Sequence, residues 1–153
     1  MSISADPLLT QVAHLFVERM PFNRLLGLSI PRFDLDGVEV CFAMDDKLIG
    51  NPASGILHGG VTAAVLDVAG GLMAIAGAAE RLKRLEPAEM SKRLARISTI
   101  DLRIDYLRPG QGQHFTASAE IIRSGSRVAV CRMELHNEQR VHIAYGTGTY
   151  MVG

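Results

Sequence analysis

The sequence predicts an α+β fold in which a curved antiparallel sheet wraps around one central helix. An apolar segment at residues 56–79 contains no Lys, Arg or Glu, and strand-like alternation follows it almost to the end of the chain. The connections between these strands are short, which is typical of antiparallel hairpins. A long sheet must cover its apolar face, and the apolar segment is the one element suited to do so.

An amphipathic helix is predicted over residues 7–20. Asp6 followed by Pro7 is typical of a helix start, because the side chain of Asp caps the first turn and Pro fits the first helical position. Apolar residues then recur at helical spacing. Residues 21–27 predict a turn or a short second helix.

Two strands are expected before the loop and the apolar helix, and one of them can be placed from its alternation. Residues 38–44 predict a strand, because Val, Val, Phe and Met alternate there with other residues. Residues 45–57 contain Asn-Pro and Gly and indicate a loop. The apolar helix is expected to begin near Gly59 and to end at about Ala78. Its Ala and Gly residues would let strands, or a second helix, approach closely.

The segment 80–95 is highly charged and predicts a solvated helical excursion, in which Pro87 starts a second short helix. A lid over the substrate is the functional alternative. The alternation of residues then predicts four strands, at 100–106, 113–122, 127–136 and 141–151. The whole chain, residues 1–153, is expected to form a single domain around one core.

Composition excludes several classes of function. The 16 acidic and 16 basic residues cancel, so the chain lacks the basic footprint of a nucleic-acid-binding protein and the basic helix of a membrane-surface protein. A membrane span is not expected, since Asp67 near the centre of a spanning helix would cost about 2.5–3.5 kcal/mol.

Cys41 and Cys131 are expected to be buried free thiols. The N-terminus carries acid where a signal peptide would carry positive charge, and we expect a cytoplasmic location.

The most informative segment is the start of the apolar helix, at His58-Gly59-Gly60. The N–H groups of a first helical turn have no partner within the helix, and the helix dipole favours negative charge there. Glycine lets a ligand carbonyl approach the backbone closely. These features predict an oxyanion hole.

Asp67 is the lone acid of this helix. Its functional interpretation is a general base for water, or a nucleophile, and its structural interpretation is a cap for a neighbouring strand. Gly59 and Asp67 are eight residues apart, or about 12 Å along one helix, so one substrate carbonyl cannot touch both. If both act on the same carbon they come from different chains, and a two-fold dimer would create two such sites.

Two neighbouring side chains are ambiguous from the sequence. The amide of Asn51 could supply a second hydrogen-bond donor or orient water, although Asn before Pro is also a routine turn pair. His58 could cap the helix, hold the loop or contact the substrate.

Other catalytic motifs are missing. The chain has no dinucleotide-binding glycine pattern, no phosphate-binding loop and no GxSxG elbow of a serine hydrolase. The spacing of its histidines with Cys or acid is not that of a metal site, so no metal is expected.

The string LHGGVTAAVLD at residues 57–67, followed by IDLRIDYLRP at 100–109, resembles the hotdog-fold thioesterases of the PaaI and acyl-CoA thioesterase 13 type. The resemblance covers roughly residues 22–152. It implies a hotdog fold and hydrolysis of an acyl-CoA to the free acid and CoA. It also implies a homodimer, or a tetramer made of two dimers. No cofactor is implied, because CoA is part of the substrate.

The resemblance also implies roles for individual residues. Asp67 matches the acid that activates water, and Gly59 matches the backbone donor to the thioester oxygen. Asn51 resembles a loop Asn that assists this donor, and Thr99 stands where relatives carry a Ser or Thr that positions water. The positions expected to bind substrate are Gly60, Tyr106 and a hairpin for the CoA nucleotide formed by Arg123, Ser124, Gly125, Ser126 and Arg127.

Two other functions stay open at this stage. A hotdog dehydratase or hydratase acting on an acyl thioester would use His58 as its base. A protein that binds acyl-CoA without turnover would share the fold, because fold alone does not fix function. The sequence leaves the length and type of the acyl group open.

Overall fold

A curved sheet wraps around one long helix in the computed structural model, which describes residues 2–3 and 5–153. The helices are α1 (Pro7–His14), α2 (Pro21–Leu26), α3 (Gly59–Leu82) and α4 (Pro87–Leu94). The strands are β1 (Ser2–Ile3), β2 (Ser29–Phe33), β3 (Val38–Ala43), β4 (Ile49–Asn51), β5 (Ile56–Leu57), β6 (Ser98–Tyr106), β7 (His114–Ser124), β8 (Val128–Asn137) and β9 (His142–Met151). The main sheet has the order β1-β2-β3-β7-β8-β9-β6, and its strand pairs are antiparallel except β1 with β2. The predicted α+β hotdog fold is confirmed.

The N-terminal helices form as the sequence predicts. The Asp6 Oδ1 atom accepts a hydrogen bond from the Leu8 amide at 3.0 Å, which caps α1. A π-helical turn, Leu15–Arg19, continues α1 to the end of the predicted helix. The carboxylate of Asp6 also pairs with Lys83, just beyond α3, and this contact lowers the pKa of Asp6. One ion pair therefore ties the start of α1 to the end of α3.

Two predicted boundaries are wrong. The helix expected to end at about Ala78 continues to Leu82, because Ala79 and Leu82 are buried and still have core to pack against. The predicted loop at 45–57 contains a short 3₁₀ turn and the two-stranded ribbon β4–β5. Helix α4 begins at Pro87 as predicted and has no buried residue, as expected of a solvated excursion.

Helix α3 supplies the centre of the core. It is long and apolar enough to cross a membrane, but 61% of its most apolar window is buried inside the fold. Its side chains pack against β3, β6, β7, β8 and β9. The apolar run is therefore explained by burial against the sheet, as predicted.

Strand β6 forms one edge of the sheet and is poorly buried. Its alternation correctly predicts a strand, but none of its side chains is fully buried, and Ile100 and Tyr106 are 52% and 54% exposed. Among the described strands β6 pairs with β9 alone, so its outer side lacks a partner. A bulge lies between Thr99 and Asp101.

The Tyr150 side chain lies at the contact between α3 and the sheet. This side chain is 1% exposed, and its ring occupies space left by Gly70 on α3 and by Gly148 on β9. Burial raises the pKa of Tyr150, so the phenol stays protonated. A β-carbon on either glycine would overlap the phenol.

We predict that Gly70→Ala lowers the free energy of unfolding by about 1–3 kcal/mol, because the added methyl group would overlap the Tyr150 hydroxyl. Urea denaturation would measure the change. Gly71→Ala is the matched control, since its methyl group would meet Tyr150 only at 3.9 Å and alanine favours a helix by up to about 1 kcal/mol. Equal destabilisation by both substitutions would contradict the proposed packing constraint.

Candidate active site

The start of α3 is held by His58, which caps the helix. Its Nδ1 atom accepts a hydrogen bond from the Gly60 amide at 2.8 Å. The His58 amide donates to the Leu48 carbonyl at 2.8 Å, and the Leu57 amide donates to the Gly110 carbonyl at 2.9 Å. His58 therefore caps the helix and fixes the loop, two of the three roles that the sequence left open.

The Gly59 amide is the free donor at this helix start. As the first helical residue it has no partner within α3, and no acceptor for it exists among the residues that the structure describes. The Gly60 amide, in contrast, is already bonded to His58. The structure therefore favours Gly59 as the oxyanion donor. Any contact of Gly60 with substrate would have to use a group other than its amide.

Tyr106 contacts Gly59 from β6. Its hydroxyl donates a hydrogen bond to the Gly59 carbonyl at 2.6 Å. The two residues line a pocket of about 390 Å³ together with Ile56, Leu57, Thr62, Leu107, Arg108, Pro109, Gly110 and Ile143. Tyr106 thus lies beside the predicted donor, at the exposed edge of the sheet.

Asp67 meets Thr99 across the helix–sheet contact. The Thr99 hydroxyl lies 2.9 Å and 3.2 Å from the two carboxylate oxygens of Asp67. The Tyr150 hydroxyl donates to the Asp67 backbone carbonyl at 3.3 Å. Asp67 is half-buried, and its carboxylate bonds to a side chain and to no strand amide of the described residues. This arrangement favours the functional interpretation of Asp67 over a strand cap.

The predicted CoA hairpin lies at the opposite end of α3 from Gly59. The Ser124 hydroxyl donates to the Gly77 carbonyl at 2.9 Å, and the Arg81 guanidinium donates to the Gly125 carbonyl at 2.7 Å. Gly77 follows Asp67 by ten residues, or about 15 Å of helix. The hairpin therefore contacts the C-terminal part of α3, which is closer to Asp67 than to Gly59. Its other members, Arg123, Ser126 and Arg127, are exposed.

Asn51 is the last residue of β4 and begins the turn to β5. Its Oδ1 atom accepts from the Ala53 amide at 3.0 Å, and its carbonyl accepts from Gly55 at 2.9 Å. The turn interpretation of Asn51 is therefore correct for its oxygen atoms. Its side-chain NH₂ group has no acceptor within the described part of the chain, so the catalytic role stays a prediction.

An apolar pocket of about 410 Å³ lies on another side of the helix start. Phe22 and Leu25 of α2 are each 56% exposed and line it. The other lining residues are Leu26, Lys47, Leu48, His58, Gly60 and Val61. Sequence analysis missed this pocket, although Phe22 and Leu25 stand three residues apart on a short helix. It also missed Tyr150, whose place beneath Asp67 depends on strand pairing.

One of the two cysteines, Cys131, is too deeply buried to be a reactive thiol. Both are free and Cys131 is fully buried, as predicted, but the predicted burial of Cys41 is wrong, because Cys41 lies on the half-buried face of β3. Burial raises the pKa of Cys131 to about 12, which keeps the thiol protonated and a poor nucleophile.

Hydrolysis of a thioester needs a group that activates water and a donor for the oxyanion, and α3 carries a candidate for each. With the fold, these two candidates point to a hotdog-type thioester hydrolase. The chain belongs to the thioesterase superfamily, whose family model matches residues 54–144.

Individual relatives agree with this assignment. A protein of Escherichia coli K12 named medium/long-chain acyl-CoA thioesterase YigI is 46% identical over 151 residues, which cover 99% of this chain and 97% of that protein. A thioesterase-superfamily crystal structure from Shewanella oneidensis is 57% identical, covers 95% of each chain and superposes with a TM-score of 0.91. The Escherichia coli PaaI structure, at 22% identity, shares the fold with a TM-score of 0.75 over 95% of this chain and 93% of that one. The PaaI-type resemblance is therefore confirmed at the level of the family and the fold.

We predict that Thr99→Val lowers kcat for thioester hydrolysis by about ten- to a hundredfold, because the Asp67 carboxylate loses a charge-assisted hydrogen bond. Thiol-release kinetics would measure it. Thr99→Ser keeps the hydroxyl and is the matched control, which should retain most of the activity. Full activity in Thr99→Val would show that this hydrogen bond does not position the acid.

Proposed function

We propose that this protein is an acyl-CoA thioesterase for medium- or long-chain acyl groups. The observation that carries the proposal is that one helix holds both a free amide, at Gly59, and a carboxylate, Asp67, that is hydrogen-bonded to Thr99. The relative YigI is named as an enzyme for such substrates, and it covers nearly the whole chain. The proposal needs no cofactor or metal, because CoA belongs to the substrate.

In the proposed reaction the thioester carbonyl accepts a hydrogen bond from the Gly59 amide. Asp67 takes a proton from a water molecule, whose oxygen attacks the carbonyl carbon. The oxyanion formed is stabilised by the amide and by the positive end of the α3 dipole. The intermediate then collapses, the C–S bond breaks, and CoA leaves as a thiolate that takes up a proton.

The two groups must come from different chains in this proposal. Gly59 and Asp67 are separated by about 12 Å of straight helix, which is too far for one carbonyl carbon. The unpaired edge of β6, with exposed Ile100 and Tyr106, offers a surface for a second copy of the chain. We therefore propose a cytoplasmic homodimer, able to pair further into a tetramer, with two shared sites.

The apolar pocket beside α2 suits the acyl chain, because Phe22 and Leu25 present apolar surface beside the helix start. The 123–127 hairpin suits the CoA nucleotide, since exposed Arg123 and Arg127 can bond its phosphates. In the shared site the thioester would lie between one chain's Gly59 and the other chain's Asp67.

The decisive measurement is free-thiol release over a panel of acyl-CoAs, with wild type beside Asp67→Asn. We expect the variant to lose at least about a hundredfold in kcat, because the amide cannot accept the proton from water. Circular dichroism would verify that the variant is folded. Binding of acyl-CoA without turnover by wild type would instead support an acyl-CoA-binding protein, and unchanged hydrolysis by Asp67→Asn would remove Asp67 from the mechanism.

Mixed dimers extend this test to the sharing of the site. Gly59→Pro removes the amide proton at the first helical position, where proline is tolerated. The residue before a proline must be extended, and His58 already is, with ψ of 133°. Co-expression of Gly59→Pro with Asp67→Asn gives mixed dimers in which one of the two sites is intact. We expect about a quarter of wild-type activity from random mixing, although each variant alone is inactive. No recovery in isolated mixed dimers would place both groups in one chain's site.

We predict that Phe22→Ala raises KM for long-chain acyl-CoAs by about three- to tenfold and leaves short-chain substrates nearly unchanged, since only a long chain reaches the apolar pocket. The chain-length profile of kcat/KM would show it. Leu35→Ala is the control, because Leu35 is 52% exposed but lies between β2 and β3, outside the pocket. The same profile for wild type and Phe22→Ala would rule the pocket out as the acyl site.

A further inference from the structure

A second group of polar side chains lies on the outer face of the sheet, away from α3. Met133 and Leu135 of β8 are buried in the core, so the alternating residues Glu134 and His136 point to the opposite face. His142 of β9 is the cross-strand partner of His136. The two imidazole rings stack with their centroids 4.5 Å apart.

The possible ligand atoms of this group all lie within 4.8 Å of one another. The Glu134 Oε2 atom lies 4.0 Å from Nε2 of His136 and 3.9 Å from Nε2 of His142. These distances are too long for hydrogen bonds. Two ligands at about 2.0–2.1 Å from a tetrahedral zinc ion lie roughly 3.4 Å apart, so side-chain movements of under about 1 Å would bring all three to one ion.

The burial of one imidazole nitrogen fits this interpretation. The Nε2 atom of His142 is buried and has no hydrogen-bond partner among the described residues, which is costly unless a ligand satisfies it.

We propose that Glu134, His136 and His142 form a site for a divalent transition-metal ion such as Zn²⁺ on the outer face of the sheet. Imidazole nitrogen favours zinc, copper and nickel, whereas Mg²⁺ prefers oxygen ligands, and water would complete the coordination. The ion would cross-link β8 and β9 and stabilise the fold without taking part in hydrolysis. The spacing of histidines in the sequence predicted no metal site. The proposal differs because the pairing of β8 with β9 brings His142 beside Glu134 and His136.

The test is zinc titration of the tag-free protein by isothermal calorimetry, with thermal unfolding measured in ZnCl₂ and in MgCl₂. We expect one Zn²⁺ per chain and a higher Tm in zinc, since an ion that binds the folded state stabilises it, and neither effect with Mg²⁺. His142→Gln and Glu134→Gln should each weaken zinc binding by at least about tenfold. His114→Gln should bind as wild type does, because His114 is exposed and outside the group.

Two results would overturn the proposal. One is the absence of zinc binding by the wild-type protein. The other is the same zinc affinity and stoichiometry in wild type, His142→Gln and Glu134→Gln. Thiol release measured without metal would verify that the variants are folded, because these residues lie on the face of the sheet opposite α3.

Discussion

The packing of Tyr150 between two glycines sets the distance between α3 and the sheet, and the candidate site depends on this distance. Gly70 on the helix and Gly148 on β9 leave the space that the phenol fills. Tyr150 is also the cross-strand partner of Thr99. The packing of Tyr150 against α3 therefore also brings the Thr99 hydroxyl to the carboxylate of Asp67. The acid is positioned by this core packing as well as by its hydrogen bond.

The other end of the proposed chemistry depends on which first-turn amide stays free. A helix start has several N–H groups without helical partners, and the cap supplied by His58 uses the one at Gly60. Tyr106 holds the Gly59 carbonyl, which restrains the residue whose amide remains available. The donor is thus fixed before a substrate arrives, as stabilisation of a developing oxyanion requires.

The sequence predicts those parts of the fold and site that depend on local pattern. The long apolar segment predicts α3, its single acid draws attention to Asp67, and alternation predicts the strands. It could not predict the place of Tyr150 beneath Asp67 or the stacking of His136 with His142, since both depend on pairing between strands. The exposure of β6 escaped prediction for a related reason. Alternation shows that a strand has two faces, but it does not show whether a neighbour covers its edge.

In the proposed mechanism, the need for a second chain follows from helix geometry and does not depend on the resemblance to known enzymes. Free amides occur only in the first turn of a helix, whereas the acid must lie where Thr99 and Tyr150 reach it, in the interior of α3. A helix is stiff over this length, so one chain cannot fold its own acid back to its own Gly59. The exposed edge of β6 carries Tyr106, which contacts Gly59. A copy docked on this edge would therefore meet the oxyanion donor directly, and two-fold symmetry would return the same arrangement to the first chain.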